Sequence, residues 1–147
     1  CNLRLGVGKD ADNLYITCKV KDGELYSGGQ GTQKGSGVFI YLDTKNECLK
    51  EPAEGVYKVW CSYKGDITVW QGNKGKWENS ELEGLQITPS VVPGGYELAF
   101  TIPLNRSFNK DTMRLCATLS TKTYTETLVH SNADWSCTWM KMNLGGH

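Results

Sequence analysis

The sequence predicts an all-β chain: an antiparallel β-sandwich of the jelly-roll or immunoglobulin-like kind, stabilised by disulfides. Three observations predict it. Apolar residues alternate with a period of two along successive segments, the period of a strand with one buried face. Short turn signals rich in Gly, Asn and Asp separate those segments. Six Cys (Cys1, Cys18, Cys48, Cys61, Cys116 and Cys137) are dispersed with no CxxC pair. Such spacing fits a disulfide framework in an oxidising compartment, and not a zinc finger or thioredoxin-type site.

Leu3-Arg4-Leu5-Gly6-Val7 reads as a strand directly behind Cys1. Leu14, Ile16, Cys18 and Val20 face one way, and Tyr15, Thr17, Lys19 and Lys21 the other. Asp22-Gly23 ends that strand, and residues 23–37 form a Gly/Ser/Gln loop with no apolar period. Val38, Ile40 and Leu42 mark the next strand; residues 46–55, with Cys48, Pro52 and three Glu, are irregular. Tyr57, Val59 and Cys61, then Ile67 and Val69, make two strands joined by a tight hairpin at Lys64-Gly65-Asp66. Beyond Gly72-Asn73 and Pro93-Gly94-Gly95, Leu98, Phe100 and Ile102 form one strand and Leu115, Ala117 and Leu119 another. A last strand runs from about Trp135 to Leu144. About eight to ten short strands are therefore expected, each sheet burying one face.

The length of 147 residues suits one domain spanning 1–147 with one core. Lys+Arg and Asp+Glu are 16 each, a net charge of zero, which argues against a nucleic-acid or anionic-membrane partner. No apolar run approaches the roughly 20 residues of a membrane span, so no membrane insertion is expected. No secretion leader is visible, so the chain reads as a mature or excised piece of a larger extracellular or cell-surface protein.

Catalytic motifs fail on inspection. Gly28 to Ser36 resembles a phosphate loop, but it ends in Lys34-Gly35-Ser36, where Gly-Lys-Ser/Thr is needed, and no helix pattern follows. No GxSxG elbow is present. Eight of the nine Glu (all but Glu24) are candidates for a hydrolytic carboxylate pair, yet loop Glu ordinarily only solvate a surface. His130 with Asp134 does not fill a zinc site. The expectation is a non-enzyme without a cofactor; loop Asp, Asn and carbonyl oxygens leave a structural calcium open.

The unusual inventory is aromatic: five Trp and seven Tyr. A flat ring packs against the C–H face of a pyranose while polar neighbours take its hydroxyls. The competing explanation is core filling. Trp77 sits in a charged, turn-rich stretch, where an aromatic is hard to bury. Trp135 follows Asn132-Ala133-Asp134 at the mouth of the last strand, in phase with Cys137 and Trp139. Trp60 is out of phase with Tyr57, Val59 and Cys61, and Trp70 with Ile67 and Val69, which puts both on an outer face or sheet edge.

Asp12-Asn13-Leu14-Tyr15, then Val20 and Asp22, a glycine-rich loop, Gly37-Val38-Phe39-Ile40-Tyr41-Leu42-Asp43, and Gly95-Tyr96-Glu97-Leu98-Ala99-Phe100-Thr101-Ile102-Pro103-Leu104 together resemble the pattern of carbohydrate-binding module family 9. The likeness runs from about Asp12 to Leu144. It implies a β-sandwich appended to a secreted polysaccharide hydrolase, a sugar held between two Trp with nearby polar side chains, and structural calcium. Two departures stand out: Gln33 to Gly37 lacks the Trp and Gly-Asp that the family often places before this strand, and Phe39 replaces a common Glu. Trp135 is similar in position to the family's C-terminal Trp. The sequence therefore predicts a non-catalytic carbohydrate-binding module. The binding site is expected on loops at one end of the sandwich, where Trp135, Trp77 and Tyr26 would stack on the sugar and Lys34, Asn132 and Asp134 would contact its hydroxyls. Three competing functions are a haem or electron-transfer module drawing on Met113, Met140, Met142 and His130, a protein-interaction domain, and a small hydrolase.

Overall fold

The computed structural model describes residues 2–26, 35–120, 125–127 and 140–143. Eleven strands and no helix are found among them: β1 (Asn2–Lys9), β2 (Asn13–Lys21), β3 (Gly37–Asp43), β4 (Val56–Ser62), β5 (Ile67–Asn73), β6 (Lys76–Asn79), β7 (Gln86–Val92), β8 (Gly95–Pro103), β9 (Thr112–Ser120), β10 (Thr125–Thr127) and β11 (Met140–Asn143). They form two sheets with every described pairing antiparallel, as the sequence predicts. The smaller sheet has the order β1-β2-β8-β7. The larger has the order β10-β9-β3-β4-β5-β6, and β11 also pairs with β9.

The core lies between the sheets. Leu14, Ile16, Cys18 and Val20 of β2 and Tyr96, Leu98, Phe100 and Ile102 of β8 meet Val38, Ile40 and Leu42 of β3, Val59 and Cys61 of β4, and Met113, Leu115, Ala117 and Leu119 of β9. These are the alternating positions read from the sequence, because burying one face of each sheet selects one phase of the period-two pattern. Ile67 departs from that reading: it stands at the hairpin end of β5 and is 43% exposed. The Tyr63–Asp66 turn closes as expected, with Gly65 at φ +95° and Ser62 N donating to Asp66 O at 2.9 Å.

The sequence left β6 and β7 unassigned. β7 is an edge strand whose burial pattern is almost wholly exposed, so it has no apolar alternation to betray it. It tolerates Pro89 because an edge position need not donate a ladder hydrogen bond. The described part of the last strand is Met140–Asn143; the expected remainder from Trp135 lies outside the described residues.

A framework pairing all six Cys is overturned. Cys18, Cys61 and Cys116 are buried thiols outside any disulfide. Their strand positions point them into packed layers, where they serve as small apolar side chains. Cys48 is disulfide-bonded, but no complete disulfide pair lies among the described residues, and Cys1 and Cys137 lie outside them.

Candidate functional site

The larger sheet carries a second aromatic layer on the face turned away from the core. The pairing registers fix its composition. Thr118, Phe39, Trp60 and Thr68 stand in one row across β9, β3, β4 and β5. Cys116, Tyr41, Lys58, Trp70 and Asn79 stand in the next, which extends to β6. Trp77 follows beside Gly72. Every one of these positions is out of phase with the core residues of its own strand, so alternation itself delivers the rings to the outer side.

The rings form a connected patch. Phe39 lies 4.8 Å from Trp60, 6.2 Å from Tyr41 and 6.4 Å from Trp70 between ring centroids. Trp77 lies 6.0 Å from Tyr41. These separations are those of favourable aromatic pairs. Lys58 sits among them: its Nζ is 4.8 Å from the Trp70 centroid, 5.2 Å from Phe39, 5.8 Å from Trp77 and 5.9 Å from Tyr41. The negative ring faces hold the ammonium in place.

Two glycines shape the patch. A Cβ on Gly37 would come within 2.4 Å of the Trp60 ring, so that ring lies flat along β3 only because Gly37 has no side chain. A Cβ on Gly72 would meet the backbone of Pro52 and Ala53 at 2.6 Å or less. The segment before β4 therefore crosses β5 closely, and Gly75 N donates to Pro52 O at 2.9 Å. Leu49 packs against the buried cluster of Tyr41, Val56 and Cys116, as Phe39 and Trp77 also do. That end of the patch is capped, while Phe39, Lys58, Trp70 and Trp77 remain half-buried.

The charges on this face are specific. Asp43, fully buried, accepts hydrogen bonds from Glu47 N at 3.2 Å and Cys48 N at 3.0 Å. Arg114, its cross-strand neighbour, donates through Nε to Asn46 Oδ1 at 2.9 Å. Asn46 and Cys48 both have positive φ, 52° and 58°, a conformation that the Asp43 carboxylate helps hold by binding this turn's amides. Among the described residues no three of His, Cys, Asp and Glu are grouped to hold a metal. Those residues therefore do not supply the carboxylate cluster that a structural calcium takes. On the other side of the β5–β6 hairpin a polar cavity of about 240 Å³ is lined by Glu54, Gln71, Asn73, Glu78 and Ser80, among others. Gln71 Oε1 and Glu78 Oε2 are already engaged there, by Gly55 N at 3.0 Å and Asn73 Nδ2 at 3.1 Å.

Of the residues expected at the site, Trp77 lies on this face, on strand β6 and half-buried, instead of in an exposed turn. Tyr26 is 45% exposed. Its N donates to Ser36 Oγ at 3.0 Å, and its carbonyl accepts from Ser36 N at 2.7 Å. Ser36 precedes β3, whereas Trp77 stacks near Tyr41, about 16 Å further along that strand at about 3.3 Å per residue. The structure therefore does not bring Tyr26 and Trp77 together. Trp135, Asn132, Asp134 and Lys34 lie outside the described residues. Phe39, Tyr41 and Lys58 were not singled out as site residues; their phase relative to Val38, Ile40 and Val59 was the available signal.

No protein-family model and no curated protein matches this chain. Solved structures do. Two of them are of a carbohydrate-binding module family 9 protein from Caldicellulosiruptor kristjanssonii, one in complex with glucose and one with cellotriose. Each superposes with a TM-score of 0.80 at 16% identity over 99% of this chain, covering 78% and 76% of the respective partner. At that identity the likeness establishes the fold: this chain is built on the β-sandwich of carbohydrate-binding module family 9.

Proposed function

We propose that this chain is a non-catalytic carbohydrate-binding module of a secreted or cell-surface protein, with its site on the outer face of the larger sheet. The observation that carries the reading is the second aromatic layer there. Phe39, Trp70 and Trp77 add nothing to the inter-sheet core, yet they stand together half-buried in a surface of the kind that stacks on sugar rings. The structural neighbours support it, since those proteins were solved with glucose and cellotriose. Trp135, which the family resemblance implies, and Asn132, Asp134 and Lys34, polar residues expected beside it, are proposed to complete the site. Tyr26, at the other end of β3, would serve only a ligand long enough to span the sheet. Attachment to a larger protein belongs to the same proposal. The haem alternative loses ground because Met113 and Met142 are spent in the core.

A glycan array of the folded chain tests the reading, with Trp70→Ala, Trp77→Ala and Trp135→Ala as variants. Binding to a saccharide that falls about tenfold or more in at least one variant of unchanged thermal stability supports it. A blank array from folded protein rejects it and turns the aromatic face into a candidate protein interface. If Trp135→Ala unfolds the chain, Trp135 is a core residue and leaves the proposed site.

A further inference from the structure

Cys48 is disulfide-bonded, and the other cysteines do not compete equally for it. Cys18, Cys61 and Cys116 are thiols outside any disulfide, which leaves Cys1 and Cys137. Cys1 belongs to the wrong end of the sandwich. It precedes Asn2, which pairs with Lys21, while Lys9 at the far end of β1 pairs with Leu14. The Lys21 end lies against the start of β3: next to Lys21, Asp22 Oδ2 accepts from Ser36 Oγ at 3.5 Å, and Ser36 directly precedes β3. Cys48 belongs to the other end of that strand, where its N donates to Asp43 Oδ2 at 3.0 Å. β3, seven residues long, holds the two ends about 20 Å apart at about 3.3 Å per residue. A disulfide needs Cα atoms within about 7 Å of each other.

Cys137 belongs to the right end. Met140, the first residue of β11, stands opposite Leu115, and Lys141, Arg114 and Asp43 form one row across β11, β9 and β3. Arg114 donates through Nε to Asn46 Oδ1 at 2.9 Å, and Leu49 packs against the cluster that contains Cys116. Cys48, between Asn46 and Leu49, therefore lies over the Arg114–Cys116 stretch of β9, beside the start of β11. The chain from Cys137 to Met140 spans at most about 11 Å, which confines Cys137 to that corner. We propose that Cys48 and Cys137 form the disulfide, and that this bond holds Trp135 beside Tyr41 and Trp77 as part of the ligand site. Trp135 is two residues from Cys137 and in phase with it, while Tyr41 and Trp77 adjoin the cluster on which Leu49, next to Cys48, is seated. The positioning role rests on the carbohydrate reading above; the pairing does not. The bond forms when both thiols release their protons and pass two electrons to an external disulfide, which leaves as two thiols; an oxidising compartment supplies that oxidant. Cys137 is thus a positioning residue, since the cross-link removes in advance freedom that Trp135 would otherwise lose on binding a sugar.

The experiment has two readouts. Mass spectrometry of the whole chain, unfolded with its free thiols alkylated and then digested without reduction, should find a linked pair of peptides carrying Cys48 and Cys137 that separates on reduction. A Cys1–Cys48 link, or an alkylated Cys48, overturns the inference. Binding on the glycan array is then compared for the unaltered chain, Cys137→Ser, Trp135→Ala and the double variant. Cys137→Ser should weaken binding about tenfold, and the double variant should bind no more weakly than Trp135→Ala alone, because the bond acts through that indole. Unchanged binding in Cys137→Ser, or a full further loss in the double variant, overturns the positioning role. A blank array from folded protein rejects the carbohydrate reading and the positioning role with it, and the peptide map still decides the pairing. That map uses the unaltered chain, so it decides even if Cys137→Ser does not fold.

Discussion

Tyr96 poses the sharpest question at the scale of a single residue. It is fully buried between the sheets, and among the described residues its hydroxyl is the buried side-chain polar group with no hydrogen-bond partner. Burial raises its pKa far above the ordinary tyrosine value, with Asp22 and the two core thiols, Cys18 and Cys61, adding to the shift. A buried donor left unpaired costs about 1–3 kcal/mol. Tyr96→Phe keeps the ring and its contact with Tyr63, 6.1 Å away between centroids, and removes that cost. Thermal unfolding should therefore show a midpoint raised by about 3 °C or more; a lowered midpoint would mean that the hydroxyl is held by a group that the described contacts do not include. The outer face was half legible at this scale. Trp60 and Trp70 were readable as outward because their strands alternate cleanly. Phe39 and Tyr41 were harder to read: their phase against Val38 and Ile40 marks them as outward, but β3 is buried on both faces and reads as one apolar run. Lys58 was hidden for another reason: in sequence it looks like any solvated strand lysine, and only the register places it among four rings.

At the scale of elements, the segment between β3 and β4 shows what alternation cannot reveal. It reads as an irregular, glutamate-rich loop, yet it folds down across β5 and seats Leu49 against the aromatic layer. Its geometry depends on Asp43 gathering the amides of Glu47 and Cys48 and on Gly72 giving it room. Gly72→Ala forces a Cβ to within 2.2 Å of the Ala53 nitrogen, a backbone atom that cannot swing aside. The substitution should cost about 2 kcal/mol or more and expose Trp77, read as a lowered unfolding midpoint and a red-shifted tryptophan emission. Gly8→Ala is the control: it also lies in a strand, its added Cβ meets nothing within 4 Å, and stability should stay within about 0.5 kcal/mol. If both variants behave alike, the close crossing is not what holds the segment. β7 went unread for the opposite reason, since an exposed edge leaves no apolar imprint on its residues.

The whole molecule holds its two sheets together around ionisable groups that must stay neutral. Cys18 of the smaller sheet and Cys61 of the larger are both fully buried in the core. Burial pushes each thiol up to about 12 from its usual 9.0, with Cys61 adding to the shift at Cys18 and Asp66 to that at Cys61. In the unfolded chain these thiols ionise near the ordinary value; in the folded chain they do not until about pH 12. Between those limits the unfolded state binds fewer protons than the folded one, so stability is complete below pH 9 and falls as pH rises through the window. Each thiol should cost on the order of 1.4 kcal/mol per pH unit there, and Tyr96 adds to the loss above about pH 10. Urea denaturation should therefore give the same midpoint at pH 6 and pH 8 and a much lower one near pH 10.5. Cys18→Ala should flatten that fall while lowering the plateau, since it removes a titrating group and leaves a small cavity. At pH 8, alkylation of Cys18 and Cys61 should proceed only as fast as the sandwich opens, and so accelerate with urea in step with unfolding. Rapid labelling of either thiol in native buffer, or a midpoint unchanged at pH 10.5, would mean that the sheets part locally and that the core does not act as one cooperative unit.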